Sequence, residues 1–142
     1  VSLYVQDLED VIEDTWNSDG LTSDFNKKLP SGLKYICFMD KSRRLNNRYG
    51  EEVRMAIERF SYEEDNMFLY PPAKACDIPS HDLKHINITE TLKPNNPLCF
   101  EVKGGKVSLK IEKENNKRVY LIMTNKEYNK IISSKIIKID KI

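Results

Sequence analysis

The sequence lacks long hydrophobic runs and contains little glycine, proline or cysteine. Its 142 residues include 5 Gly, 6 Pro and 3 Cys, and 39% of them are hydrophobic. No segment approaches the roughly 18 consecutive apolar residues of a membrane span, and no basic and then apolar stretch marks a secretory signal. These absences exclude collagen-like, transmembrane and disulfide-rich chains. We expect one ordinary domain that lies inside the cell, in the nucleus or the cytoplasm, without a membrane partner.

The three cysteines, Cys37, Cys76 and Cys99, are odd in number and form no C-x-x-C pair. This pattern argues against a disulfide scaffold and suits a reducing compartment. Cys37 lies among alternating apolar neighbours, so we predict that it is a core residue and not a nucleophile.

Motifs that would support catalysis or cofactor binding are also missing. The sequence contains no glycine-rich phosphate loop, no dinucleotide fingerprint and no G-x-S-x-G elbow. His81 and His85 are four residues apart and could bind zinc together with Cys76. The pair lacks the adjacent glutamate of the H-E-x-x-H motif, and no second cluster supplies a fourth ligand. We therefore predict a protein that is not an enzyme and that binds no metal and no cofactor.

Positive charge is absent from the start of the chain and in excess in the rest. Residues 1–26 contain seven acids and no lysine or arginine, whereas residues 27–142 contain 23 bases and 15 acids. Four of these bases lie within residues 41–48. A basic body behind an acidic segment is typical of proteins that bind nucleic acids or acidic partners. The alternative is that a lysine-rich surface only keeps the protein soluble.

Residues 3–16 are predicted to form an amphipathic helix, because apolar side chains recur at helical spacing between the acids. This stripe either packs on the chain's own body or binds a partner. In both cases the acids could cover a basic groove. Turn-forming residues dominate 17–32, so we divide the chain into an acidic helix with its linker, 1–26, and a domain, 27–142, whose ordered part starts near Leu33. The candidate partner-binding residues are Leu8, Val11, Ile12 and Trp16.

In the domain, apolar residues alternate with polar ones over several short segments, which predicts strands. Asn46 to Gly50 form a predicted turn after the first strand, and Gly104-Gly105 close a predicted hairpin between the fourth and fifth. We predict a helix from Ser80 to about Leu92 and another from Thr124, while the ending 136–142 is either a strand or further helix. The predicted strands cover residues 35–39, 53–57, 67–70, 98–103, 107–112 and 118–124.

The order of these elements and two segments resemble a known fold. Lys34-Tyr-Ile together with Arg48-Tyr49-Gly50-Glu51-Glu52-Val53-Arg54-Met55-Ala56-Ile57 resembles the first hairpin of oligonucleotide-binding (OB) fold proteins that bind single-stranded DNA. Phe68-Leu69-Tyr70-Pro71 resembles their apolar third strand, and the resemblance covers about residues 33–124. It implies a mainly β fold, a five-stranded OB-like barrel. Here the barrel would be flanked by the N-terminal amphipathic helix and a short C-terminal helix.

Single-stranded nucleic acids expose phosphates, which Lys and Arg neutralise, and unpaired bases, which stack on aromatic rings for about 1–3 kcal/mol each. Basic and aromatic residues are interleaved in the domain. Strand alternation would point Arg54, Phe60 and Tyr120 outward, and Tyr49 in the turn is the expected base stacker. The candidate nucleic-acid-binding residues are Arg43, Arg44, Arg48, Tyr49, Arg54, Phe60, Tyr70, Lys103, Lys106, Lys110, Lys117, Arg118 and Tyr120.

The sequence thus favours a non-enzymatic module that binds single-stranded DNA or RNA, DNA in the first place, as an accessory to a replication, repair or mobile-element complex. The competing hypothesis is a protein-interaction or structural module that docks a partner through the N-terminal acidic helix. In that case the basic face is an ordinary solvated surface, since a fold alone does not define a function.

Overall fold

The structure is a computed structural model that describes residues 3–18, 22–75, 78–92, 94–114, 118–123 and 137–140. The helices are α1 (Leu3–Asn17), α2 (Glu51–Phe60) and α3 (Ile88–Leu92), with a short 3₁₀ helix at Pro72–Lys74. Within this part of the chain, none of the helices combines the length and the apolar character needed to cross a membrane. The strands are β1 (Thr22–Phe25), β2 (Tyr35–Phe38), β3 (Met67–Tyr70), β4 (Ser80–His81), β5 (Ile86–Asn87), β6 (Leu98–Glu101), β7 (Leu109–Glu114), β8 (Arg118–Met123) and β9 (Ile137–Asp140).

The strands form two antiparallel sheets. One sheet has five strands in the order β1-β7-β8-β9-β5, and the other has four in the order β4-β3-β2-β6. No closed barrel is found among the described strands, so the five-stranded OB-like barrel is not confirmed. The chain has a mixed helix-and-sheet fold.

Both faces of the four-stranded sheet are buried. Ile36 and Phe38 belong to a first core on one face, whereas Cys37 and Met39 belong to a second core on the other, and all four are fully buried. A strand that is covered on both faces shows an unbroken apolar run, because each alternate side chain still meets a core. The runs in β2 and β3 follow this rule, and the strands predicted there are confirmed.

The first core is built from residues of both sheets and of α1. Phe25 of β1 and Leu109 of β7 join Ile36 and Phe38 in it. β1 lies inside the segment that we predicted to be a connection, so the ordered body begins before Leu33. Apolar side chains of strands that pair in different sheets therefore share one interior.

Helix α1 confirms the helix predicted for residues 3–16, and it packs on the chain's own body. Leu8 and Ile12 are buried in the first core, at 0% and 2% exposure. The hydroxyl of Thr15 donates to the carbonyl of Val11 at 2.8 Å and lies 2.7 Å from the hydroxyl of Ser23 in β1. This contact fixes the end of α1 against the five-stranded sheet.

The second core lies between the other face of the four-stranded sheet and α2. A disulfide between Cys37 of β2 and Cys99 of β6 belongs to it and joins positions 62 residues apart. The expectation from the cysteine pattern is therefore wrong for these two residues. The antiparallel register places them directly opposite each other, with 4.0 Å between their Cα atoms, and sequence spacing does not show this relation.

Residues 51–60 form a helix, so the predicted strand at 53–57 is wrong. Apolar residues at alternate positions fit a strand, but the spacing of four between Val53 and Ile57 also fits one face of a helix. These two side chains are buried, whereas Met55 is 45% exposed. Two acids in the first turn and one base in the last turn favour the helix through its dipole.

Only the end of the predicted helix at 80–92 is helical. β4 pairs with β3, β5 pairs with β9, and α3 follows. His85 has a φ of 70°, a left-handed conformation that a continuous helix does not contain. Ser80, the expected helix cap, instead donates its hydroxyl to the buried carboxylate of Asp65 at 2.6 Å.

The predicted turn at Gly104-Gly105 is present, but the strands on its two sides belong to different sheets. Lys103 and Lys106 exchange two backbone hydrogen bonds of 3.1 Å around it, and both glycines have positive φ. β6 then pairs with β2, whereas β7 pairs with β1 and β8. The hairpin prediction is wrong beyond the turn, because Leu109 is buried in the first core within the other sheet.

The end of the chain agrees in part with prediction. β8 confirms the strand predicted at 118–124, and β9 shows that the ending contains a strand. The helix predicted from Thr124 lies outside the described residues.

Leu8→Ala is expected to lower the free energy of unfolding by about 2–5 kcal/mol, because it leaves a cavity in the first core. Urea denaturation measures the change. Gln6→Ala, on the exposed side of the same helix, should change it by less than about 0.5 kcal/mol. Equal small effects of both variants would show that α1 is not packed on the body.

The disulfide should be detectable by counting thiols in denatured protein that has not been reduced. Alkylation should modify one of the three cysteines, and all three after reduction. Because the bridge closes a long loop, reduction should lower stability by about 2–5 kcal/mol. The double variant Cys37→Ser, Cys99→Ser should not respond to the reductant. Three reactive thiols before reduction would contradict the pairing.

Candidate nucleic-acid interface

The basic loop, residues 40–50, is held in place by the buried side chain of Asn96. Its Oδ1 accepts a hydrogen bond from the amide of Asp40 at 2.9 Å, and its Nδ2 donates to the carbonyls of Asp40 and Arg44 at 2.7 and 3.2 Å. The amide of Asn46 donates to the carbonyl of Asn96 at 2.7 Å. A buried amide that satisfies backbone groups in this way fixes the path of the loop.

One of the predicted cations in the loop is neutralised by its neighbour. Arg43 Nε lies 3.2 Å from Asp40 Oδ2. Partial burial alone would raise the pKa of Asp40, but hydrogen bonds from Ser42 and the charge of Arg43 outweigh it and lower the pKa. Asp40 is therefore ionised at neutral pH, and Arg43 offers little net charge to a phosphate.

Arg54 is held between two carboxylates of its own helix. It pairs with Glu51 and with Glu58, the latter at 2.8 Å. These side chains and the loop from Arg44 to Asn47 line a cleft of about 430 Å³. Because both carboxylates pair with Arg54, this side chain adds little attraction for an anion.

Three other cations of the basic loop, Lys41, Arg44 and Arg48, are not neutralised by an acidic neighbour in the described part of the chain. Arg48 Nη1 donates to the amide oxygen of Asn95 at 2.6 Å, and Lys41 Nζ donates to the carbonyl of Ser61 at 3.1 Å. Both partners are neutral, so these side chains keep their net charge. Arg44 is exposed and forms no ion pair with any described residue.

Tyr35, Tyr49 and Tyr70 form the tyrosine cluster, three half-buried rings that pack against the second core. The ring centre of Tyr35 lies 5.7 Å from that of Tyr49 and 6.2 Å from that of Tyr70. Lys34 Nζ lies 5.4 Å from the ring centre of Tyr35. Tyr49, expected to be an exposed stacker, is thus half-buried, and the rings together offer an aromatic surface bordered by positive charge.

Five exposed lysines, the lysine rim, lie around the end of the four-stranded sheet at which the tyrosine cluster is found. The amide of Lys34 donates to the carbonyl of Tyr70, and the carbonyl of Lys34 accepts from Val102, at 2.8 and 2.9 Å. These bonds bring the start of β2 next to the Gly104-Gly105 turn. The rim consists of Lys28, Lys34, Lys74, Lys103 and Lys106.

Lys28 and Lys74 are the outer members of the rim, and each is brought there by one close contact. Lys28 forms a β-bridge with Lys106. Gly32 has a φ of 91°, and a Cβ there would lie 3.0 Å from the side chain of Lys74. Lys28, Lys34, Lys74 and Lys106 form no ion pair with any residue that the structure describes. Their charges are available to an external anion.

The remaining predicted binding residues lie elsewhere. Phe60, at the end of α2, is 49% exposed, and Lys110 on β7 is half-buried opposite Asp24 of β1. Arg118 and Tyr120 lie on β8 of the five-stranded sheet, and Lys117 lies outside the described residues. The predicted residues that the structure places in the tyrosine cluster or the lysine rim are Tyr49, Tyr70, Lys103 and Lys106. Arg44 and Arg48 are held by Asn96 and Asn95, near the end of the sheet at which Phe38 pairs with Leu98.

The four predicted partner-binding residues all pack against the chain's own first core. Leu8 and Ile12 belong to it, and Val11 and Trp16 are partly buried against it. The ring of Trp16 stacks on His85, with 3.4 Å between ring centres. Acids of α1 line a shallow pocket with Lys84 and His85, so they face these residues and not the basic loop.

The histidines do not meet at one site. His81 lies on β4, His85 lies in the turn that follows, and Cys76 lies outside the described residues. Among the described residues no group of three or more His, Cys, Asp or Glu side chains is arranged to hold a metal ion.

Comparison with protein families, with curated proteins and with solved structures finds no match to this chain. The resemblance to OB-fold proteins therefore stays a prediction from the quoted segments.

Sequence reasoning missed four residues of this surface: Lys28, Lys34, Lys74 and Tyr35. Lys34 and Tyr35 stood in the segment that carries the OB-fold resemblance, and the alternating pattern assigned them only to a strand. Lys28 and Lys74 lie near turns. Their proximity depends on the left-handed turn at Gly32 and on the bridge to Lys106, and neither can be derived from spacing.

The stability of the protein should fall as pH decreases from about 7.5 to about 5.5. Burial lowers the pKa of His81 and of His85 below the ordinary value of 6.5. The unfolded chain then binds more protons than the folded one, so the free energy of unfolding declines below about pH 6.5. Urea denaturation at both pH values measures this decline.

The double variant His81→Gln, His85→Asn should flatten that decline. Asparagine suits position 85 because it tolerates a positive φ. An undiminished decline in the variant, or a wild-type protein that gains stability on acidification, would show that the histidines are not the cause.

Proposed function

We propose that the protein is a non-enzymatic module that binds single-stranded nucleic acid, DNA in the first place, across the tyrosine cluster and the lysine rim. In this role it would be an accessory to a replication, repair or mobile-element complex. The observation that supports the proposal most directly is the position of five exposed lysines around three half-buried tyrosine rings at one end of a sheet.

The two residue types match the two chemical parts of a single strand. Lysine ammonium groups attract phosphates without reading a sequence, and their attraction weakens as salt is added. Tyrosine rings stack on unpaired bases, each of which has a π face. The two residue types meet at Lys34, since its ammonium group lies near the ring of Tyr35.

The segments that resemble OB-fold proteins point to the same surface. Lys34-Tyr-Ile supplies Tyr35, and Arg48-Tyr49-Gly50 supplies Tyr49. The two segments reach the same surface because the rings of Tyr35 and Tyr49 are in contact, and this contact does not require a closed barrel.

Binding to an intracellular nucleic acid implies that the protein lies in the nucleus or the cytoplasm. In these compartments thiol systems reduce accessible disulfides. Cys37 is 0% and Cys99 6% exposed. The proposal therefore requires that burial protects this bridge from small reductants. An oxidising compartment would favour the bridge and disfavour the proposed ligand.

The competing hypothesis is a partner docked on the N-terminal acidic helix. The apolar stripe that would bind this partner is covered by the chain itself. The apolar side of α1 belongs to the first core through Leu8 and Ile12. A partner could contact α1 through its exposed acids, which include Glu9, Asp10 and Glu13.

The test is titration of a fluorescent thymidine oligomer of about 20 nucleotides at about 50 and 200 mM salt. Wild-type binding should fall steeply with salt. Replacing Lys34, Lys103 and Lys106 by Gln should weaken binding by about tenfold or more at the lower salt. The slope of log K against log salt should decrease by about 2, near 0.7 for each phosphate contact removed.

The matched control compares Lys34→Gln with Lys84→Gln. Both remove one exposed positive charge, but Lys84 pairs with Asp82 beside α1 and away from the rim. Only Lys34→Gln should weaken binding. Equal losses of affinity in the two variants would show that binding depends only on the net charge of the protein. No binding at low salt would overturn the proposal.

A further inference from the structure

Helix α2 carries a second apolar stripe on its exposed side. Met55 is 45% and Phe60 49% exposed, and Ala56 is half-buried between this stripe and the second core. With Glu52 and Arg59 they line a surface depression of about 250 Å³. These positions are three, four, seven and eight residues after Glu52, so they form one face of the helix.

The charges at the two ends of this stripe have no partner within the described chain. Glu52 and Arg59 are about 10 Å apart along the helix axis, two turns at 1.5 Å per residue. Neither forms an ion pair with any described residue. The neighbouring face differs, because Arg54 there pairs with acids of the same helix.

We propose that this face of α2 binds the same face of a second copy of the chain, with the two helices antiparallel. A twofold axis near Met55 and Ala56 would place Glu52 of each copy opposite Arg59 of the other. Met55 and Ala56 would then pack in the middle, and Phe60 would cover each end of the interface beside Arg59. The stripe is self-complementary, since Glu52 and Arg59 lie on either side of Met55 and Ala56 at equal distances from the twofold axis.

The interface is small, so the dimer is weak. A ten-residue helix buries far less than the roughly 1,200 Å² of a standard interface. We expect self-association in the range of about 10 µM to 1 mM, which sedimentation equilibrium detects. The measurement needs no nucleic acid, so it does not depend on the proposed function.

Charge reversal tests the pairing. Glu52→Arg places two pairs of like charges in the dimer, and Arg59→Glu does the same with the opposite sign. Each single variant should self-associate about tenfold more weakly than the wild type. An equimolar mixture of the two variants should form heterodimers with wild-type affinity, because every arginine then faces a glutamate.

Glu64→Arg is the matched control, since it makes the same charge change at an exposed position outside the stripe. It should leave self-association unchanged, whereas Met55→Ser should weaken it. Thermal melts establish that each variant is folded. A monomeric wild type at about 1 mM, or a mixture of the two reversals that associates no better than either alone, would overturn the proposal.

Discussion

Burial of both faces of the four-stranded sheet is the constraint on which the rest of the structure depends. β2 and the residue after it place Ile36 and Phe38 on one side and Cys37 and Met39 on the other, and neither set can face water at low cost. Helix α1 and the five-stranded sheet cover the first side, and α2 covers the second. The disulfide joins β2 to β6 within the second core.

A sheet that is covered on both faces leaves its ends and edges for other molecules. At one end the chain enters β2 at Lys34, leaves β3 at Tyr70 and leaves β6 near Lys103. Such connections lie at the surface and carry polar residues. The lysines lie close together because three turns meet at this end. The tyrosine rings pack against the second core beside them.

The sequence predicted short apolar segments bounded by turn-forming residues correctly, and failed where a strand and a helix fit one pattern equally well. β2 and β3 are runs of four apolar residues, too short for a helix between such boundaries. Val53, Met55 and Ile57 fit a strand as well as a helix, and packing of Val53 and Ile57 on the sheet decides between them. Relations across the chain could not be predicted, since the disulfide depends on the register of β2 with β6.

In the candidate site, too, local features could be predicted from the sequence, whereas contacts between distant parts of the chain could not. Local composition predicts Tyr49, Lys103 and Lys106 as binding residues, and the structure brings them to one end of a sheet. It also predicts Arg48, whose guanidinium instead donates to Asn95 near the other end. Arg43 and Arg54 were also predicted, but a charge count could not reveal their acidic neighbours. Lys74 joins the rim only through its contact with the loop at Gly32.

Binding at the tyrosine cluster and the lysine rim is tested most directly by a map of amide chemical shifts in the ¹⁵N-labelled protein as a thymidine oligomer is added. If the strand binds across the tyrosine cluster and the lysine rim, the largest shifts cluster at Lys34, Tyr35, Tyr49, Tyr70 and the turn from Lys103 to Lys106. Shifts that cluster on α1 and around Lys84, or that spread evenly over all exposed lysines, would contradict binding at this surface.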